Sequence, residues 1–154
     1  MAKAAIAYLL ETKLAVAVNL ESSITANAYS STGTQLIAFP SIRVVVSRGT
    51  EEPENSGNFL CEVDLTVYGG LDPDNDSNYD DAVSTHNDIS GNVYEWLTEG
   101  FAYSDLEGIA TVDYENELKV DNVRLSGFSR EINTSEGVFE ETFNLEVYLH
   151  QETA

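Results

Sequence analysis

Two runs of strict alternation constrain this chain more than any other feature. From Phe59 to Tyr68, the residues Phe59, Cys61, Val63, Leu65 and Val67 point one way, and Glu62, Asp64 and Thr66 point the other. From Val138 to His150, Phe139, Phe143, Leu145, Val147 and Leu149 alternate with Glu140, Thr142, Asn144, Glu146 and Tyr148. Strand side chains change face at every residue, so each run is a strand with one dry face and one wet face. The β-branched stretch Ile42 to Ser47 is apolar on both faces in places, and Pro40 leads into it in extended form; it reads as an interior strand. With the polar stretch Gly49 to Asn58 as a loop, it forms a long antiparallel hairpin with the Phe59 strand. Leu118 to Ile132 forms another hairpin with the last strand through a turn at Asn133 to Gly137, and Gly108 to Tyr114 carries a weaker strand signal. If the Phe59 to Leu65 or Phe143 to Leu149 run lay at a sheet edge, it would offer free backbone groups to another chain.

A dry sheet face needs an apolar cover, and two segments have the period to supply it. Ile6, Leu9, Leu10, Leu14 and Ala17 fall on one helical face, with Glu11, Thr12 and Asn19 on others. Val83, Ile89, Val93, Trp96 and Leu97 recur with the same period up to about Thr98. Asn78 or a neighbour caps this second helix, and Asp80 and Asp81 suit the positive end of its dipole. Gly91 within it costs about 1 kcal/mol against Ala unless a neighbouring strand packs closely there. Ser22 to Gln35, rich in Ser, Thr, Ala and Asn, is a polar connection or a weak edge strand. The expected fold is α+β: one domain over residues 1–154, mainly an antiparallel sheet with both helices on one face. At 154 residues the chain can bury roughly 70% of its unfolded surface without a disulfide or a metal.

Charge narrows the function. Twenty-seven Asp and Glu against seven Lys and Arg give a net charge of -20. Such a field repels phosphate backbones and anionic lipid, so direct nucleic-acid or membrane binding is not expected. No Lys or Arg occurs between Arg48 and Lys119, and that stretch carries most of the acids. Glu11 and Lys13 interrupt the apolar start, which is therefore neither a signal peptide nor a span. Synthesis is read as intracellular, so the sequons at Asn75 and Asn133 are not expected to carry glycans.

The chemical motifs fail at the positions that matter. Asp72, Asp74, Asp76, Asn78 and Asp80 place oxygens at alternate positions as a calcium loop does, but Ser77 stands where Gly is needed and Val83 where a bidentate Glu is needed. His86 and His150 are the only histidines, too few for a zinc cluster, and a partly buried, hydrogen-bonded imidazole is expected at His86. Cys61, the single cysteine, is in phase with apolar neighbours and reads as a small core residue. There is no nucleophile elbow, phosphate loop or dinucleotide fingerprint. Carboxylate pairs such as Glu140 with Glu141 are too numerous for any one to mark an acid and base. No catalytic residue, cofactor or metal site is expected, and the chain is not read as an enzyme.

Four features in order resemble the tail terminator, or tail completion, proteins of long-tailed bacteriophages. They are the amphipathic helix at the start, the Phe-Pro-Ser-Ile-Arg-Val-Val-Val approach at Phe39 to Val46, and the strand Phe59 to Tyr68 leading through a loop to the His-containing helix Ala82 to Leu97. The fourth is the closing hairpin, Val123 to Arg130 returning through Ser135 to Gly137 into Phe139 to Leu149. The likeness spans nearly all of the chain and is one of arrangement. It implies a structural virion protein, made in the host cytoplasm, that caps the head-proximal end of the tail tube and ends its polymerisation. It also implies a hexameric homo-oligomer ring, contacts with the tail tube protein and with a head-tail connector or neck protein, and DNA passing through the lumen without specific binding. The loop acids Glu51, Glu52, Glu54, Asp72, Asp74, Asp76, Asp80 and Asp81 then either line the lumen or sit on the outer surface. Two other readings stand beside this one: a different neck or head-completion protein, and an acidic calcium-binding interaction module.

Overall fold

The computed structural model describes residues 6–30, 40–54, 56–71, 78–100, 116–133 and 137–153. In chain order these form helix α1 (Ile6–Leu20), strands β1 (Asn27–Ser30), β2 (Ser41–Glu51) and β3 (Asn58–Gly70), helix α2 (Tyr79–Glu95) ending in a π-helical turn at Trp96–Gly100, and strands β4 (Asn116–Asn133) and β5 (Val138–Thr153). The five strands make one sheet in the order β1-β2-β3-β5-β4. Only the β1–β2 pair is parallel. The fold is α+β, as the alternation implies.

Register explains which face is dry. Ile42, Val44 and Val46 lie opposite Val67, Leu65 and Val63, and Leu65, Val63 and Cys61 lie opposite Phe143, Leu145 and Val147. These cross-strand neighbours share one face and join Leu10, Leu14 and Val18 of α1 and Ile89, Val93 and Trp96 of α2 in a single core. Both helices therefore cover the same face, α1 over β1 and β2, α2 over β3 and β5. Burying each large aliphatic side chain of this core is worth about 1.5–3 kcal/mol, the main force holding helices to sheet.

Asn78 does cap α2, its side-chain oxygen accepting from the Asp81 N–H at 3.0 Å. The Ser22 to Gln35 stretch contains the short edge strand β1. The loop assigned to Gly49 to Asn58 is shorter than its composition implies. Gly49, Thr50 and Glu51 pair with Cys61, Leu60 and Phe59, because the ladder of a long hairpin outweighs weak local strand preference. The turn keeps Gly57 at φ 80°, and the β4–β5 turn keeps Gly137 at φ 68°; both are left-handed conformations that suit glycine. Gly108 to Tyr114 lies outside the described residues. The two strongly β-prone runs are interior strands; among the described residues the edges are β1 and β4.

Candidate functional site

The eight loop acids do not form one site. Glu51 is the last residue of β2, and its carboxylate accepts from the Gly57 N–H at 2.9 Å, so it holds the β2–β3 turn. Glu52 and Glu54 are exposed on that turn. Asp80 and Asp81 are exposed at the start of α2, which follows the other end of β3. Asp72, Asp74 and Asp76 lie outside the described residues. Thirteen strand residues separate the two acidic regions, roughly 40 Å at 3.3 Å per residue. Within one chain the described acids of the two regions are too far apart to hold the same small ligand. Among the described residues no three His, Cys, Asp or Glu side chains gather as metal ligands, and no helix is long and apolar enough to cross a membrane.

Cys61 is buried, and desolvation pushes its thiol above the usual range, which makes it a poor nucleophile. His86 differs from expectation. It is only 1% exposed, and neither ring nitrogen has a hydrogen-bond partner among the described residues. The ring lies 5.7 Å from that of Phe139 and against the backbone of Gly69, where a Cβ would come within 2.7 Å of His86 Nδ1. Burial lowers its pKa; Glu141 works against that shift and Arg130 with it. The close approach sought at Gly91 is therefore made at Gly69, while a Cβ on Gly91 would meet nothing within 4 Å. Glu11 also departs from its expected polar face. It is 4% exposed and accepts from the Val46 N–H at 2.8 Å, tying α1 to β2.

The open face of the sheet is a hydrogen-bonded polar floor. Asn144 donates to Asp64 at 2.7 Å, Thr66 and Thr142 pair at 3.0 Å, and Tyr148 donates to Glu146 at 3.0 Å. That last bond raises the Tyr148 pKa, with the Glu146 charge adding to it. Arg124 reaches Glu146 at 3.5 Å. The pairs that cross strands, Asn144 with Asp64, Thr66 with Thr142 and Arg124 with Glu146, stabilise the sheet.

The dry face is incompletely covered. Phe128, Arg130 and Ile132 lie opposite Phe143, Glu141 and Phe139 and so point to the helix side. Because α2 sits over β3 and β5, these β4 side chains have little above them among the described residues: Phe128 is 65% exposed and Ile132 36%. Between α2 and β4 runs a cleft of about 400 Å³, lined by Asn87, Ser90, Tyr94, Phe128, Arg130 and Phe143. Tyr94 meets Phe128 edge to face at 6.5 Å. Arg130 donates to the Asn87 side-chain oxygen at the cleft's polar end. The cleft was hidden in the sequence because β4 residues read as an ordinary half-buried strand. Only the pairing with β5 reveals that they lie beyond the helix cover.

No protein-family model matches this chain, and no curated protein matches it in sequence.

Proposed function

We propose that the chain is a structural virion protein of the tail-terminator kind. In this reading its copies form a ring, a hexamer, on the head-proximal end of a phage tail tube. The ring ends polymerisation and joins the tail to the head-neck connector. The observation that carries the reading is the β4 edge: an 18-residue strand, outermost among the described residues, on which Phe128 is 65% and Ile132 36% exposed. A long edge with exposed apolar groups marks a surface built to meet other protein. Two supports stand beside it. The order of helix, hairpin, helix and closing hairpin resembles that family, and a net charge of -20 lets DNA slide past without adhering.

In this reading the acids Glu52, Glu54, Asp80 and Asp81 act through charge alone, at the lumen or at the ring's outer faces. The test is to mix the purified chain with its cognate tail tubes and image the ends by electron microscopy. Rings at one end only are expected. Bare ends in the presence of excess protein would overturn the reading.

A further inference from the structure

The cleft beside β4 has the chemistry of a protein interface. Its walls are Tyr94, Phe128 and Phe143, and its polar end holds Arg130 with Glu141 opposite it on β5. Aromatic residues and Arg are the types most enriched where proteins meet, and they contribute most of the binding energy there.

Strand geometry narrows the contact to one part of β4. The strand's register with β5 shifts between Val120 and Asn122 and again between Leu125 and Gly127. Bulges of this kind twist an edge away from further pairing. From Gly127 to Asn133 the register is regular, and this is the part that carries Phe128, Arg130 and Ile132. A segment that adds to the edge there would place alternate side chains over the cleft.

Charge indicates the occupant. The span Asn116–Asn133 holds Lys119, Arg124 and Arg130 against Glu117, Asp121 and Glu131, so it is neutral, while the whole chain carries -20. Three of the seven basic residues lie on this one edge strand. The residues outside this strand carry the whole net charge of -20, and a neutral edge with exposed Arg side chains is where an acidic second copy can approach with least repulsion. We infer that the α2–β4 cleft and the Gly127–Asn133 edge are the surface that receives a second copy of this chain. An apolar or aromatic side chain of that copy packs in the cleft against the Tyr94–Phe128 pair, and a carboxylate of it reaches the exposed side of Arg130. The inference rests on the homo-oligomeric part of the reading above and gives it an address.

Self-association of the wild type, F128D and R130E, followed by native mass spectrometry and sedimentation up to about 100 μM, tests it. Phe128 is largely exposed, so F128D folds, and circular dichroism verifies this. The expected result is wild-type assembly, about thirtyfold weaker in F128D and about tenfold weaker in R130E. Slowed amide exchange over Gly127–Asn133 on assembly is the second expected sign. A wild type that stays monomeric throughout, or F128D assembling as well as wild type, overturns the inference. Neither result touches tube capping, which is read separately on tube ends. Assembly through Phe128 with bare tube ends would keep this surface and remove the tail reading.

Discussion

The two helices lie on the same sheet face and treat buried polarity in opposite ways. Glu11 of α1 is buried and bonded to the Val46 N–H. Asn19, near the end of α1, accepts from the Ala28 N–H at 2.8 Å and donates to the Ala28 carbonyl at 3.1 Å, which fixes edge strand β1. On α2, His86 and Ser90 are buried, and neither has a hydrogen-bond partner among the described residues. The α1 half is tied by specific bonds to both β1 and β2. The α2 half has its side-chain bonds at the surface, Arg130 to Asn87 and Asn92 to the Ser23 carbonyl, its buried contacts are packing, and Phe128 on its outer strand is 65% exposed. Fixed polar bonds specify one arrangement, whereas apolar packing beside an open edge tolerates a neighbour. On the reading proposed above, one half serves as frame and the other as contact surface.

The largest expected effect opposes a closed position to an open one. Leu14→Ala removes a fully buried side chain under α1 and is expected to cost about 2–5 kcal/mol in denaturant unfolding, whereas Phe128→Ala at the open edge is expected to stay within about 0.5 kcal/mol. Equal losses would erase the distinction between the halves. Asn19→Ala comes next, since it leaves both backbone groups of Ala28 without their partner; a loss of about 1–3 kcal/mol is expected, together with faster amide exchange in β1. No change in β1 protection would mean that the edge is held by other contacts.

The smallest effect is one of pH and belongs to α2. The His86 pKa is lowered in the fold from an ordinary value of 6.5, mainly by burial. Above that value both folded and unfolded chains hold a neutral imidazole, and its burial costs nothing in charge. As pH falls below it, the unfolded chain takes up a proton that the folded chain refuses. Stability therefore declines down to the folded pKa and then levels. Thermal midpoints between pH 7.5 and 5.5 should fall more steeply for the wild type than for His86→Leu. Parallel curves for the two proteins would count against a buried neutral imidazole.

Much of the frame was legible in the sequence. The alternation of Phe59 to Val67 and of Phe139 to Leu149 is a local pattern, and it gave the dry face correctly. Asn78 was legible as a cap because capping is decided within three residues. What was hidden depends on distant partners. Glu11 looked solvent-facing because its acceptor role is set by Val46, 35 residues away. Gly91 drew attention as a glycine inside a helix, but the tight approach occurs at Gly69, whose strand position gives no local sign of the imidazole above it. The cleft could not be read at all, since it exists only where α2 stops short of β4.

The central strand has a consequence for the order of events during synthesis. β3 bonds to β2 on one side and to β5 on the other. The first partner precedes it in the chain, but the second begins only at Val138, far behind Gly70. At about 5–20 residues per second the nascent chain waits roughly 3–14 s between completing β3 and starting β5. Throughout that interval one flank of the strand built from Phe59, Cys61, Val63 and Leu65 has unsatisfied ladder groups. The ribosome-bound half-sheet is therefore the stage most open to wrong pairing, and emergence of the C-terminal strand seals it.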